Sequence, residues 1–389
     1  MTAIGFADLG VDADLVSVLS ERGIESPFPI QSLTIADGLA GRDVCGKAKT
    51  GSGKTLAFGL PILQLLSKAK PGRPTALALV PTRELAVQVC RELEPLAACR
   101  GIRIHAIYGG APIEKQISAL KRGVEFVVAT PGRMIDLIDR KELSVEGIER
   151  IVIDEADRMA DMGFMPQVEW ILRGIEGEHQ TLLFSAALDG MTAGLISRYQ
   201  NDPEMYAIDG DEPTVSEMEH RFLAVHQMDR VRVAAAIVAS SNRTIIFTRT
   251  RWGADKLAQA LEDEGVDAAP MHGDLRQEKR EKSLSDFSAG RIKALVATDV
   301  AARGIHVDDV DVVIHHDPPS DAKTYVHRSG RTARAGESGL VVSLVLWNEE
   351  LEVRKLMRRL GMKHPIVEVF SNDPRLADLN AWDPAADAA

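Results

Sequence analysis

A chain of 389 residues is long enough for two to three domains of ordinary size. It is 45% hydrophobic and 26% charged with a net charge of −11, which excludes general disorder and a broad basic nucleic-acid surface. Three cysteines cannot form a disulfide scaffold, no apolar run reaches the ~18 residues of a membrane span, and residues 1–9 lack the basic start of a signal peptide, so a cytoplasmic protein is expected.

Short apolar, β-branched runs recur along the chain, each followed by a helical stretch. In the first half they lie at residues 75–80, 103–108, 125–129, 150–154 and 181–185. In the second half they lie at 220–225, 244–248, 294–298, 310–315 and 339–346. Continuously apolar strands are the pattern of a parallel sheet buried on both faces. Between the two sets, Asp209-Gly210-Asp211-Glu212-Pro213-Thr214 is acidic and rich in breakers. The expected fold class is therefore α/β: two domains, 1–208 and 216–370, each a parallel sheet flanked by helices, joined by a short flexible linker at 209–215. Residues 371–389, with Asp373, Asp378, Asp383, Asp387 and two prolines, read as a flexible acidic tail in which Trp382 is the one candidate for docking.

A weak strand at 43–45 precedes Ala48-Lys49-Thr50-Gly51-Ser52-Gly53-Lys54-Thr55 and an apolar helix over 56–66. Glycines let successive N–H groups curl toward phosphate oxygens, and the helix turns its positive N-terminus to the same anion. In that arrangement Lys54 reaches the β and γ phosphates and the Thr55 hydroxyl ligates Mg²⁺. Ala48 takes the place of the first glycine in the strict pattern G-x-x-x-x-G-K-[ST]. Further on, Ile151-Val152-Ile153-Asp154-Glu155-Ala156-Asp157 is an apolar strand ending in acids. In a parallel sheet such strand ends face the ligand crevice. Asp154 is placed to hold Mg²⁺, mostly through water, and Glu155 to orient and polarise an attacking water. A glutamate beside the metal aspartate favours hydrolysis over transfer to another acceptor.

Taken together, these residues resemble the DEAD-box RNA helicases, named for the four letters at Asp154 to Asp157. The resemblance runs from Phe6 to about Leu346, with the motifs in the family's order. It implies two RecA-like domains, ATP and Mg²⁺ as cofactors, and RNA as partner. It also implies an adenine-reading element containing Phe6, Gly23, Pro27, Ile30 and Gln31. A side-chain amide donates and accepts at once, so Gln31 can read N6 and N7 of adenine. An aromatic such as Phe6 can stack on the base. On the family's pattern, Gly304 and His306 complete the ATP-binding set. Lys54, Asp154 and Glu155 form the catalytic set with Arg331 and Arg334, the last two as arginine fingers in His327-Arg328-Ser329-Gly330-Arg331-Thr332-Ala333-Arg334. Ser185, Ala187, Asp157 and His327 are expected to couple hydrolysis to closure.

The resemblance also marks an RNA side. In the first domain it comprises Pro81-Thr82-Arg83, Gly109-Gly110 and Thr130-Pro131-Gly132-Arg133. Each follows a strand, and hydroxyls, arginines and N–H groups suit phosphate contacts. Thr82 and Thr130 equally suit helix N-caps, and the two roles can coexist. In the second domain the RNA-side residues are Thr248, Arg249, Gln277, Arg280, Thr298 and Asp299.

Several positions depart from the family's pattern. Lys49 replaces a glutamine, and Ser185-Ala186-Ala187 replaces Ser-Ala-Thr, removing one hydroxyl. His306 stands where the family has an aspartate that touches the ATP ribose. The acidic C-terminus differs from the basic tails of some relatives. The expected function is an ATP-dependent RNA helicase that melts short duplexes locally, holding RNA by its backbone with little sequence preference. The alternative is an ATP-gated RNA clamp or remodelling subunit with weak unwinding. A DNA translocase is a third class, opposed by the adenine-reading glutamine and the four-letter motif. Ribosome-assembly or RNA-decay proteins are candidate partners, no membrane is involved, and a monomer is expected.

Overall fold

Continuous apolar runs become parallel strands buried on both faces. The computed structural model describes residues 4–48, 51–188, 190–208, 218–302, 310–332 and 339–382. The chain separates into two units, Met1–Gly210 and Asp211–Ala389. In the first, the strands are β1 (Val44–Lys47), β2 (Ala76–Leu79), β3 (Ile104–Ile107), β4 (Phe126–Ala129), β5 (Arg150–Asp154), β6 (Gln180–Ser185) and β7 (Glu204–Ala207). They lie side by side in the order β3-β4-β2-β5-β6-β1-β7, every pairing parallel. The second unit has β8 (Met218–Ala224), β9 (Thr244–Thr248), β10 (Ala268–Met271), β11 (Ala294–Thr298), β12 (Val312–His315), β13 (Gly339–Val345) and β14 (Ile366–Glu368). Their order, β10-β11-β9-β12-β13-β8-β14, repeats the first strand for strand and is again parallel throughout.

Alternation along each strand feeds two cores. Ala76 and Ala78 of β2 and Val152 of β5 pack into one cluster with Leu60 and Leu93. Leu77, Leu79, Ile151 and Ile153 pack into another with Met134 and Leu137. Parallel strands cannot be joined by tight turns, so helices make the crossovers and all strand-to-helix loops leave one edge. In the first unit those helices include Lys54–Leu65 after β1, Arg83–Cys99 after β2, Pro131–Asp139 after β4 and Ala156–Asp161 after β5. In the second they include Arg230–Ala239 after β8, Gln277–Ser288 after β10 and Ala322–Ser329 after β12. Arg230 opens its helix as Lys54 does, but it is buried against carboxylates, 3.5 Å from Asp317 and 3.6 Å from Glu349. Among the described residues no helix is long and apolar enough to cross a membrane.

Three strands absent from the sequence reading, β7, β10 and β14, are sheet edges. β7 is mostly exposed, β10 contains Pro270, which an edge tolerates, and β14 is three residues long, so none carries a long β-branched run; the fourth edge, β3, falls within the run at 103–108. The expected linker lies outside the described residues. The expected flexible tail is corrected over residues 371–382. Leu376 and Leu379 are buried in the second unit's core, and Trp382 packs against it beneath the Arg375 guanidinium, 4.6 Å from its ring centre. The segment is tied down by Ser371 on Asp229 (2.7 Å) and by Arg221 Nε donating to the Leu379 carbonyl (3.3 Å). Residues 383–389 lie outside the described residues. Leu376→Ala should destabilise the chain by about 2–5 kcal/mol, the usual range for a buried leucine. Urea unfolding followed by circular dichroism measures it, and a change under 0.5 kcal/mol would contradict the docking.

Candidate functional site

The chain leaves β1 with the Ala48 N–H bonded to the Ser185 carbonyl at 3.0 Å. Gly51 and Gly53 then take φ of 85° and 84°, a backbone open to glycine and strained for other residues. At Gly53 there is also no room. A Cβ there would overlap the Gln31 amide and lie 2.6 Å from the Phe28 ring. The loop enters its helix at Lys54, which is 7% exposed. The ammonium donates to the Ala48 carbonyl (3.3 Å) and lies 3.8 Å from Asp154 Oδ1. Thr55 follows in the first turn. Its hydroxyl hydrogen-bonds the Glu92 carboxyl, which burial raises above its ordinary pKa against that bond.

Gln31 sits on the helix Pro29–Leu39 and is buried. Its Oε1 accepts from the Phe28 N–H and its Nε2 donates to the Gly53 carbonyl, both at 2.8 Å. The amide is thus built into the phosphate loop. Each end keeps one further valence, since a carbonyl oxygen has two lone pairs and an NH₂ two protons. Phe6, expected to stack on the base, is instead 2% exposed and packed in the core beside Val11 and Leu15.

β5 delivers Asp154 and Glu155, both buried. Asp154 Oδ1 accepts from the Glu155 N–H at 2.9 Å. Burial pushes the Asp154 carboxyl above its usual range, and the Lys54 ammonium opposes that push. Glu155 has φ of 55°, uncommon for a residue with a side chain. Such strain clusters at functional positions. The Glu155 carboxylate pairs with Arg158 one helical turn on. Two residues beyond Glu155, the Asp157 carboxylate lies 2.8 Å from the Ser185 hydroxyl and accepts from the Ala186 N–H at 3.3 Å. The same hydroxyl lies 2.7 Å from the Ala187 carbonyl and accepts from the Asp157 N–H at 3.1 Å. The Ser185 loop is therefore held to the carboxylate strand although Ala187 has no hydroxyl.

The first unit's expected RNA-side residues converge at the ends of β2, β3 and β4. After Pro81, Thr82 caps its helix by accepting from the Leu85 N–H (3.3 Å). Arg83 packs its guanidinium against Gly110, whose φ is 87°, and close to Gly109. Thr130 and Pro131 start the next helix, followed by Gly132. Arg133 then donates to the Ala111 carbonyl and Gln116 Oε1, each at 3.2 Å. Gln116 in turn holds the Tyr108 carbonyl at 3.0 Å.

In the second unit, Thr248 ends β9 and Thr298 ends β11. The Arg249 N–H donates to Asp317 at 2.8 Å. Gln277 and Arg280 lie one turn apart on their helix, with Gln277 donating to Glu281 at 3.0 Å. Asp299 is paired within the unit: both its oxygens bind Arg328, at 2.6 and 2.9 Å, so its carboxylate orients the helix Ala322–Ser329. Arg328 also donates to the Asp317 carbonyl at 2.6 Å. That helix carries His327, and Arg331 just beyond it donates to the His327 carbonyl at 3.4 Å. Lys49, Thr50, Gly304, His306 and Arg334 lie outside the described residues.

Glu92, Arg158, Asp317 and Phe28 were not singled out from sequence. Arg158 was within reach, because a turn's spacing on a helix pairs it with Glu155. Glu92 and Asp317 meet their partners only through the fold.

Family models agree with the geometry. Residues 28–194 match the DEAD/DEAH box helicase model, and residues 228–336 match the helicase conserved C-terminal domain. The chain is 40% identical to a DEAD-box ATP-dependent RNA helicase CshA from Geobacillus kaustophilus, over 96% of this chain and 81% of that protein. It is 42% identical to the ATP-dependent RNA helicase CshA of Listeria monocytogenes, over 87% of this chain and 66% of that one, which extends well past the match. Its structure is similar to that of S. cerevisiae Dbp5 bound to RNA and ADP BeF3, with a TM-score of 0.79, 27% identity, and coverage of 95% and 97% of the two chains. The glycine loop, the Asp154–Glu155 strand end and the doubled parallel sheet thus have one common explanation: the chain belongs to the DEAD-box family of ATP-dependent RNA helicases.

Proposed function

We propose that the chain hydrolyses ATP at the first unit's phosphate loop and uses the cycle to open or remodel short RNA duplexes with little sequence preference. The observation that carries this reading is the constellation of buried Lys54, Asp154 and Glu155 around a loop whose glycines leave room for phosphate. Lys54 donates to the phosphates once its bond to the Ala48 carbonyl is exchanged for them. Glu155 holds and polarises the attacking water from a backbone conformation fixed by Asp154 and Arg158. Mg²⁺ fits the residues present, because the Asp154 carboxylate and the Thr55 hydroxyl are hard oxygen donors. The chemistry it supplies when bound is neutralisation of charge on the phosphate oxygens.

Arg331 and Arg334 act as arginine fingers when ATP and RNA are bound. The RNA backbone is held by the clustered Arg83, Gly110 and Arg133 in the first unit and by Thr248, Arg249, Gln277 and Arg280 in the second. The relatives are named as helicases, which favours unwinding over the clamp alternative. Ribosome-assembly or RNA-decay proteins are the partners to test first.

Two measurements check the mechanism. Glu155→Gln should keep ATP affinity within about threefold while cutting turnover by roughly 10²–10⁴-fold, the usual range for a lost general base. RNA-stimulated phosphate release beside ATP-binding calorimetry gives both numbers, and near wild-type turnover would refute the assignment. Ser185→Ala removes the hydroxyl that ties Asp157 to the Ala187 loop. A hydrogen bond of roughly 1 kcal/mol corresponds to about fivefold in coupling. The base pairs opened per ATP consumed should fall by that order with ATP binding intact. An equal ratio in both proteins would place the coupling elsewhere.

A further inference from the structure

Phe28 is the residue before Pro29, at the N-cap of the helix Pro29–Leu39. Its N–H is held by Gln31 Oε1 at 2.8 Å and its carbonyl accepts from the Ser32 N–H at 3.0 Å. That half of a capping box fixes the backbone and hence where the side chain points. The ring does not enter the core. It is 57% exposed, whereas Phe58, Phe126 and Phe184 are fully buried. Nor does it stand away from the protein, because it closes over Gly53 so tightly that no Cβ fits there. An aromatic face therefore stands at the mouth of the phosphate loop, beside the Gln31 amide that is bonded to the same glycine. Exposed aromatic surface of this size is unfavourable in water and gains by being covered. Phe6, enclosed in the core, offers no such face.

We propose that Phe28 is the platform on which the base of ATP stacks, with Gln31 reading the base edge from beside it. The proposal rests on the nucleotide reading given above and names a binding residue that this reading did not include. Stacking on a ring face is indifferent to which base is stacked, because every base has a π-face. The platform thus supplies affinity, and the Gln31 amide supplies choice. The same ring keeps Gly53 a glycine, so base binding and loop geometry share one side chain.

The test uses the full chain with Phe28→Trp, Phe28→Tyr and Phe28→Ala. Stacking should quench the emission of Phe28→Trp in a saturable way on adding ATP or ADP, well beyond any change in the wild type with its own four tryptophans. Calorimetry should show Phe28→Ala binding ATP about tenfold more weakly, binding GTP more weakly by the same factor, and Phe28→Tyr restoring most of the loss. In ATPase assays the Phe28→Ala defect should fall mainly on KM. Gln31→Ala should instead narrow the ratio between ATP and GTP. Thermal unfolding of Phe28→Ala should match wild type, since the ring is half exposed. ATP affinity within twofold of wild type in Phe28→Ala, or no extra quenching in Phe28→Trp, overturns the platform while leaving the nucleotide site intact. Failure of the wild-type chain to bind ATP overturns both.

Discussion

Lys54 and Asp154 are two buried charges 3.8 Å apart, and much of the first unit is arranged around them. Either one buried alone would carry a desolvation penalty of several kcal/mol. Their separation is too long for a direct hydrogen bond, so each leans on backbone as well: Lys54 on the Ala48 carbonyl, Asp154 on the Glu155 N–H. Those backbone partners exist because β1 and β5 end at the same edge of a parallel sheet with only β6 between them. β6 in turn ends at Ser185, which bonds toward both neighbours: its carbonyl takes the Ala48 N–H, and its hydroxyl reaches Asp157. Three adjacent strand ends therefore hold the cation, the carboxylates and the loop between them in one bonded set.

The helix Pro29–Leu39 is tied into that set by one amide. Gln31 donates to the Gly53 carbonyl, so a side chain on a separate helix contributes to the shape of the phosphate loop. Tension between the parts is visible at Glu155, whose left-handed backbone is tolerated because Asp154 accepts its N–H and Arg158 holds its carboxylate. A second unit with the same strand order solves a different problem. There Asp299 and the Asp317 carbonyl hold Arg328, and Asp317 also accepts the Arg249 N–H. Burial works against the charge on Asp317, but His316, the Arg249 N–H and Arg230 outweigh it and keep the carboxyl well below its usual range. The result is a rigid seat for the helix that carries His327 and leads to Arg331.

Much of this was legible in the sequence where the chemistry is contiguous. Gly51 to Thr55 and Asp154 to Asp157 are short runs whose spacing alone implies phosphate and metal chemistry. Interior strands such as β2, β5 and β9 were legible because burial on both faces leaves an unbroken apolar run. Of the four edge strands only β3 was, since Pro270 interrupts β10 and solvent exposes most of β7. The pairing of Asp299 with Arg328 and of Thr55 with Glu92 depends on chain crossings that no local pattern records. The C-terminal segment misled for a related reason. Its acidic composition outweighs two leucines and one tryptophan on a simple count, yet those three supply the buried contacts that dock it.

Strand order alone does not make a binding site, and Arg230 shows why. It opens the helix after β8 in the position Lys54 holds after β1, at the matching edge of a sheet of identical order. But two carboxylates, Asp317 and Glu349, already stand against it, where Lys54 has one. An incoming polyphosphate would compete with two carboxylates for Arg230 in the second unit, and with one carboxylate and a backbone carbonyl for Lys54 in the first. Two sheets of one strand order thus set a cation at the same place with different partners: Arg230 is held between two acidic side chains, whereas Lys54 sits behind a glycine loop with one carboxylate and a backbone carbonyl.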